Sequence, residues 1–253
     1  MPIRDDPRAR FVALQVALAD EKPTRARRDE LRRAADALLD AHPEWAAIAR
    51  SMATKWVFRR GVIDEIETSA ERFLAHGKGL LEVEPVLRVT LHDTTPELLA
   101  QLVRAGLVRS FLRLTIRGTV EDEGASALAG AKKAQLQSLN LGSTSLGTEG
   151  LAELVRSPVL AACRSLALTG NELGDEGAEI LAKARSLEVL ERLYLANCGI
   201  SDEGALALAK STKLPLLHTL GLNGNDDITD ESTAVFKKSR LAKLRRLELP
   251  TSW

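Results

Sequence analysis

The sequence contains few aromatic residues, few cysteines and no excess of charge of either sign. Aromatic side chains make up 4% of its 253 residues, which favours leucine ladders and stacked helices over an aromatic-lined pocket. Two cysteines, Cys163 and Cys198, are too few for a disulfide framework. The 35 basic and 35 acidic residues balance to a formal charge of zero, so the composition favours neither nucleic acid nor an anionic membrane as a partner.

Long apolar segments are also missing. The first residues, MPIRDDPRAR, are charged and lack the apolar core of a signal peptide. No run approaches the roughly 20 apolar residues that a membrane-spanning helix needs. We therefore expect a protein of the reducing cytoplasm that binds no membrane.

Catalytic and metal-ligating constellations are absent from the sequence as well. Zinc ligands are usually clustered cysteines and histidines, whereas the four histidines here are scattered: His42, His76, His92 and His218. The glycine-rich stretch GSTSLGTEG, residues 142–150, lacks the lysine of a phosphate-binding loop. We expect no enzyme activity, no cofactor and no metal.

A period of 27 residues dominates the second half of the chain. Four segments share the pattern L-x-x-L-x-L followed by a polar turn: LQSLNLGSTSLGTEG, CRSLALTGNELGDEG, LERLYLANCGISDEG and LHTLGLNGNDDITDES. Their central leucines, extended by looser copies, form a series spaced by 25 and then 27 residues: Val89, Leu114, Leu139, Leu166, Leu193, Leu220 and Leu247. The L-x-L alternation places two leucines on one face of a short strand. Since one repeat cannot bury them alone, the pattern predicts stacked strand–helix units.

This pattern resembles the leucine-rich repeat, and its tail, D-E-G-A-x-x-L-A, resembles the ribonuclease-inhibitor-like subclass, whose outer side is helical. The resemblance implies an α/β fold: a solenoid with an arc of parallel strands inside and helices outside, preceded by a small helical N-terminal cap. It also implies a ladder of turn residues, five positions after the central leucine, whose side chains turn inward to satisfy backbone groups: Thr144, Asn171, Cys198 and Asn225.

A second polar ladder precedes each helical A-x-x-L-A run and consists of Asp122, Thr148, Asp175, Asp202 and Asp230. Aspartate and threonine often cap helix N-termini, so we predict that each of these residues caps the helix that follows it. A glycine comes two positions later in most repeats, as at Gly150 and Gly204, where we expect adjacent helices to approach closely.

The N-terminal third lacks the period. Residues 1–58 predict a helical segment, with a helix start at Asp6-Pro7. Residues 59–85 predict a degenerate capping repeat, with a strand around Val62–Ile66 and a helix opened by a capping box at Thr68. Residues 86–253 then hold the repeats. The stretches DDPRARFVALQVAL and WVFRRGVIDEI resemble bacterial proteins with a repeat-companion domain, here in partial form; that resemblance implies association with repeat arrays and no particular activity.

The strand residues that flank the central leucines should face solvent on the concave side. We predict that a partner binds there, on a set of mostly polar side chains: Arg88, His92, Arg113, Arg117, Asn140, Thr169, Arg192, Tyr194 and Asn223. Tyr194, the only tyrosine, is either a recognition anchor or a cover for its neighbours. Arginines lie on the first two predicted repeat strands, at positions 88, 113 and 117, and they predict an acidic segment in the partner.

The predicted function is a non-catalytic scaffold that binds another protein, of unknown identity, on the concave face. One alternative is weak self-association, because LELPTSW ends directly after a strand and an uncovered edge invites pairing, although Lys243 and Pro250 oppose it. Another alternative is a regulator of a small GTPase, because ribonuclease-inhibitor-like arcs also occur in activators of Ran-type GTPases.

Overall fold

The protein folds as an α/β solenoid. The structure is a computed structural model, and it describes residues 6–20, 23–131, 133–229, 232, 235–236, 239, 241 and 244–249. The helices of these residues are α1 (Pro7–Asp20), α2 (Arg25–Ala41), α3 (Ala47–Met52), α4 (Ala70–Val83), α5 (Pro96–Arg104), α6 (Glu121–Ala129), α7 (Thr148–Arg156), α8 (Gly174–Lys183) and α9 (Asp202–Ala209). The strands are β1 (Lys55–Arg59), β2 (Val62–Ser69), β3 (Arg88–Thr94), β4 (Arg113–Gly118), β5 (Ser138–Asn140), β6 (Ser165–Ala167), β7 (Arg192–Tyr194), β8 (Thr219–Gly221) and β9 (Arg246–Glu248).

The strands form one sheet in chain order, β1 to β9. Strand β1 pairs with β2 antiparallel, and every later pair is parallel. The central residues of the seven repeats are direct partners across the parallel strands, and the ladder begins one strand earlier, at Ile66. Leu247 is only partly buried, whereas Ile66 and the other six central residues are buried. The core is therefore a column of leucines that each unit shares with its neighbours.

The segment predicted to be helical, residues 1–58, instead ends in a strand. Lys55–Arg59 forms a hairpin with β2 through a turn at Arg60 and Gly61, whose φ angles are 51° and 85°. The predicted boundary at residue 58 therefore cuts through β1. Trp56 and Phe58 of this strand lie opposite Ile66 and Ile63, so a single edge strand carries aromatic residues to the core without a repeat period to reveal it.

The helix of the capping unit begins one residue later than predicted. Ser69, not Thr68, caps α4, and its hydroxyl accepts a hydrogen bond from the Arg72 amide at 3.3 Å. Thr68 is buried at the end of β2, where its hydroxyl donates to the Met52 carbonyl at 2.7 Å. Because that hydroxyl is used to hold α3 against β2, it does not serve α4.

One arginine ties the N-terminal helices to the hairpin. The Arg8 guanidinium lies 4.8 Å from the Trp45 ring centroid and 5.5 Å from that of Phe58. Its Nη2 donates to the Gly61 carbonyl at 2.7 Å. A cation held among aromatic rings and bonded to the hairpin turn fixes α1 at the start of the sheet.

The turn ladder lies inside the solenoid at the ends of the short strands. Asn171 Oδ1 accepts the Thr144 and Leu146 amides at 3.1 and 3.0 Å, while its Nδ2 donates to the Leu141 and Leu168 carbonyls at 2.8 Å each. The Asn225 side chain makes the same four bonds one pair of repeats later. The Thr144 hydroxyl donates to its own loop, at the Leu141 carbonyl. The Cys198 thiol donates to the Leu168 and Ala196 carbonyls. Each asparagine thus bonds its own repeat and the one before it.

The predicted helix caps do not cap their own helices. Helices α6, α7 and α8 follow Val120, Gly147 and Leu173 without a side-chain cap, and α9 is capped by the Ser201 hydroxyl. Asp122, Thr148, Asp175 and Asp202 lie within the first turn of their helices, where a side chain points beside the helix rather than back over its end. Asp230 lies outside the described residues.

The aspartates instead bond the start of the next repeat. Asp122 accepts the Gly147 amide at 2.8 Å, and Asp175 accepts the Ser201 and Gly204 amides at 2.8 and 2.9 Å. Asp202 accepts the amide and hydroxyl of Thr229 and the hydroxyl of Ser232. Thr148 lacks a carboxylate, and its hydroxyl reaches only Glu176 Oε2, at 3.4 Å. We call the three aspartates the helix clips.

The glycines beside the clips are required by close approach. A Cβ on Gly150 would lie 2.6 Å from Asp122 Oδ1, and one on Gly204 would overlap Asp175. In the fourth of the well-matched repeats a serine, Ser232, occupies the equivalent position and uses its hydroxyl to reach Asp202.

Replacement of Asn171 by alanine should destabilise the solenoid strongly. It leaves the Thr144 and Leu146 amides inside the protein without a partner, whereas the Leu141 and Leu168 carbonyls keep the Thr144 hydroxyl and the Cys198 thiol. Each unpaired amide costs about 1–3 kcal/mol, so the free energy of unfolding in urea should fall by about 2–6 kcal/mol. The control is Asn223→Ala, at an exposed position two strands away. Equal stability of the two variants would show that the inward amide does not hold the repeats together.

Asp202→Asn should change the pH dependence of stability. Hydrogen bonds from the hydroxyls of Ser232 and Thr229, and from the Thr229 amide, lower the pKa of Asp202. A lowered folded-state pKa contributes stability that is present above the unfolded value, about 3.9, and is lost as the pH falls through the folded value. The melting temperatures of wild type and Asp202→Asn should therefore differ at pH 6 and converge as the pH falls below the unfolded value and through the lower folded value.

The matched control is Asp226→Asn, at an exposed aspartate that makes no hydrogen bond or ion pair within the described part of the chain. A gap between wild type and Asp202→Asn that stays constant from neutral to acidic pH would contradict the assignment of Asp202 as a charged clip.

Candidate functional site

The strand residues that point away from the leucine core form two continuous rows, which we call the strand face. Register fixes their order across the sheet. The first row is Glu65, Arg88, Arg113, Ser138, Ser165, Arg192, Thr219 and Arg246, and the second row is Glu67, Thr90, Thr115, Asn140, Ala167, Tyr194, Gly221 and Glu248. Because the strands are parallel and adjacent, every residue in a row lies about 4.8 Å from the next strand's equivalent.

Acidic residues of β2 already form ion pairs with the first basic residues of this face. Arg88 pairs with Asp64, and Arg59 Nε lies 3.0 Å from the same carboxylate. Burial, followed by the nearby Arg59 and Arg113 charges, lowers the pKa of Arg88. The predicted docking of an acidic segment on Arg88 is therefore disfavoured, because Asp64 takes that place within the chain.

Glu67 contacts the next two basic side chains, those of His92 and Arg117. Its Oε1 lies 2.6 Å from His92 Nε2 and 3.9 Å from Arg117 Nη1. Sequence reasoning missed Glu65 and Glu67 as parts of this surface because β2 belongs to the degenerate capping unit, whose register is not set by the 27-residue period. The alternation V-I-D-E-I-E is the signal that would have placed them opposite the first arginines.

Arg113 differs from its neighbours. It is exposed and makes no ion pair among the residues that the structure describes. Of the three arginines predicted to attract an acidic segment, this one has a guanidinium that no carboxylate within the described ranges neutralises.

The middle of the strand face is small and uncharged. Ser138, Ser165 and Ala167 are half-buried. Asn140 Oδ1 accepts the Gly142 amide at 2.9 Å, so this side chain is folded back on its own turn. Thr169 and Asn223 follow β6 and β8, and their carbonyls accept the Ser143 and Asn197 amides at 2.7 and 3.0 Å. These residues give the face a shallow polar floor.

Tyr194 lies on the strand face between two of the smallest residues of its row, Ala167 and Gly221. A Cβ added at Gly221 would lie 3.3 Å from Tyr194 Cδ1, so the ring leans over the glycine backbone. The ring is half-buried, and its hydroxyl makes no hydrogen bond within the described part of the protein. The aromatic side chain therefore both covers a neighbour and presents a free hydroxyl.

A cluster of charges borders Tyr194 at the start of the strands. Arg164 donates to Glu191 at 2.5 Å, and Arg192 and His218 lie 3.6 and 3.7 Å from the same carboxylate. The hydrogen bond from Arg164 is the main cause of a lowered pKa at Glu191, and Arg192 and His218 add smaller contributions. Arg164, Glu191 and His218 are spaced by 27 residues, a signal in the sequence that was overlooked because these positions precede the strands.

The described residues present neither a metal-ligating cluster nor an exposed thiol. They contain no group of three or more histidine, cysteine or acidic side chains that could hold a metal ion. Both cysteines are buried and unpaired. Burial raises the pKa of Cys163 to about 11 and also raises the pKa of Cys198, which opposes formation of a nucleophilic thiolate. Among the same residues, no helix has the length and apolar character to span a bilayer.

Comparison with known proteins identifies part of the repeat array. Residues 164–182 and 186–209, which hold β6, β7, α9 and most of α8, match the leucine-rich repeat family. No curated protein matches the chain. Among solved structures, the chain is similar to the crystal structure of an internalin, InlF, from Listeria monocytogenes, with 18% identity and a TM-score of 0.36. That alignment covers 66% of this chain and 63% of the internalin, so the chain spans less than two thirds of the internalin's length.

The charge cluster at Glu191 makes a direct prediction. Arg164→Gln should raise the pKa of Glu191 toward its ordinary value, because it removes the strongest of the contacts that favour the carboxylate. His218→Gln should change it less. The measurement is a carbon-13 NMR titration of the glutamate side-chain carboxyls. A larger effect of His218→Gln than of Arg164→Gln would contradict the arrangement.

Proposed function

We propose that this protein is a non-catalytic interaction scaffold that binds another protein across its strand face. The observation that carries the proposal is Tyr194, an aromatic ring with a free hydroxyl that stands on a floor of small residues. Aromatic and arginine side chains at the centre of an interface commonly supply most of its binding energy. The match of residues 164–182 and 186–209 to leucine-rich repeats supports the proposal, since solenoid repeats present extended binding surfaces.

The partner should carry acidic side chains, and the unpaired charges indicate where these would bind. Arg113 has no counter-ion among the described residues, and Arg192 shares one carboxylate, that of Glu191, with Arg164 and His218. Arg88, His92 and Arg117 face carboxylates of the chain itself. The acidic segment is therefore proposed to contact Arg113 and Arg192, on either side of the small polar floor, rather than the N-terminal end of the face.

A reducing compartment such as the cytoplasm is part of the same proposal. It is supported by the two thiols, which are unpaired and occupy positions of the leucine and asparagine ladders. Neither thiol is exposed for pairing with another chain.

The test is capture of partners from an extract of the native host, quantified by mass spectrometry. The bait variant is Arg113→Glu with Tyr194→Ala. A matched control, Lys210→Glu with Val83→Ala, reverses one exposed cation and truncates one exposed apolar residue away from the strand face. At least one protein held by wild type and control should fall at least about tenfold with the strand-face variant, the effect of losing one strong anchor.

All three baits should first give the same circular dichroism spectrum and the same melting temperature within a few degrees, so that a loss reports the surface. Equal recovery of every captured protein by the strand-face variant and by wild type would disprove binding on this face.

A further inference from the structure

A second surface lies on the helical side of the solenoid, between α7 and α8. It is a groove of about 500 Å³. Its floor is apolar and consists of Ala152, Val155, Ile180 and Ala184. Its rim carries three cations, Arg156, Lys183 and Arg185, with Ser186 between them. The volume falls within the roughly 300–1,000 Å³ typical of ligand-binding clefts.

The helix clips explain why the groove lies at this pair of helices. Asp122 bonds the start of the α7 unit, and Asp175 bonds the start of the α9 unit. The corresponding residue of α7 is Thr148, whose short hydroxyl accepts no amide of the α8 unit within the described part of the chain. Helices α7 and α8 are therefore joined by packing and by the long Thr148–Glu176 hydrogen bond, without the carboxylate–amide bond that ties the pairs on either side.

Two of the three rim cations have no role within the fold. Lys183 pairs with Glu179 at 2.5 Å. Arg156 and Arg185 are exposed, and the structure records no hydrogen bond or ion pair for either among the residues it describes. They are not needed to satisfy the end of α7 either, because the Ser186 hydroxyl donates to the Val155 carbonyl at 2.5 Å. Within the part of the chain that the structure describes, Glu179 is the only residue whose carboxylate pairs with the rim.

We propose that this groove binds an acidic amphipathic segment of a partner protein. An apolar side chain of that segment fills the floor over Val155 and Ile180, and carboxylates flanking it pair with Arg156 and Arg185. Charge complementarity selects this occupant: two arginines without counter-ions border an apolar floor, and an arginine fork binds carboxylate in a bidentate manner. A helix that lays one apolar face into such a groove is a common recognition mode.

The site is independent of the strand face, because α7 and α8 pack on the opposite side of the sheet from Tyr194. Failure of one proposal therefore leaves the other standing. The groove variants tested below keep Arg113 and Tyr194, and the strand-face variant keeps the groove.

The test uses a display library of random short peptides, selected on the full-length wild-type protein. Recovered peptides should share an apolar residue flanked by aspartate or glutamate. A labelled synthetic copy of the dominant peptide, measured by fluorescence anisotropy, should bind Arg156→Glu/Arg185→Glu at least about tenfold more weakly than wild type. Arg156→Lys/Arg185→Lys keeps the charge but loses the bidentate fork, so it should bind with an affinity between those of wild type and the glutamate variant. Tyr194→Ala should bind the peptide as wild type does.

Both arginines are exposed, so their substitution should leave folding intact, and Ile180→Ala provides a second, uncharged variant that should also weaken the peptide. The proposal is overturned if selection yields no peptide, if the recovered peptides lack acidic residues, or if their binding is unchanged by Arg156→Glu/Arg185→Glu. It is equally overturned if Tyr194→Ala abolishes peptide binding, since the peptide would then occupy the strand face.

Discussion

The buried asparagine amides are the contacts on which the rest of the solenoid depends. A leucine column gains free energy from burial, but the hydrophobic effect has no direction and does not fix how far one repeat slides along the next. Asn171 and Asn225 supply direction, because each amide accepts from two backbone N–H groups of one repeat and donates to carbonyls of two. All four hydrogen-bonding capacities of the side chain are used, which is the condition under which a buried polar group is stable.

Thr144 and Cys198 occupy the same positions in the alternate repeats and bond only carbonyls. The amides of their own loops are instead met by the asparagine of the following repeat. One asparagine thus serves two turns, and the Cys198 thiol links its own turn to the Leu168 carbonyl of the repeat before it. The strand register that results is what lines up the two rows of the strand face, so the position of Tyr194 relative to Arg113 and Arg192 follows from contacts on the opposite side of the backbone.

On the helical side, neighbouring repeats are joined by aspartate side chains, and one pair of repeats lacks this contact. Carboxylates of Asp122, Asp175 and Asp202 reach forward to the next repeat, whereas Thr148 does not. Charge-assisted bonds to backbone amides are stronger than neutral ones, so the loss of one carboxylate weakens one joint of the helical layer while the sheet beneath it stays continuous. The groove lies between these two helices, which are linked by the Thr148–Glu176 contact in place of a carboxylate–amide bond.

The sequence predicts what repeats and misses what does not. The 27-residue period is enough to place the strand residues and to show which of them face outward, because one alternation rule applies to every copy. The period does not show whether a polar side chain bonds its own repeat or the next one. Aspartate is suited to both roles, so the aspartates that bond the next repeat were predicted to cap their own helices. Only the distance between stacked repeats distinguishes the two roles. Strand β1 was missed for a related reason, since Trp56 and Phe58 pack at the end of the column without a counterpart elsewhere.

Charge on the strand face was predicted least well, and here the capping strand decides the outcome. The arginines of β3 and β4 form a basic patch only if their surroundings are neutral, but β2 places Asp64 against Arg88 and Glu67 between His92 and Arg117. Arg113 is left without a counter-ion among the described residues, and Arg192 shares the Glu191 carboxylate with Arg164 and His218. The two arginines are separated by three strand steps, or about 14 Å. Between them lie serines, an alanine and an asparagine that is bonded to its own turn. A partner that uses both arginines must therefore span this distance across uncharged and mostly small side chains. That requirement favours an extended or broad surface over a small ligand, and the half-buried Tyr194 ring is the aromatic group against which such a surface would pack.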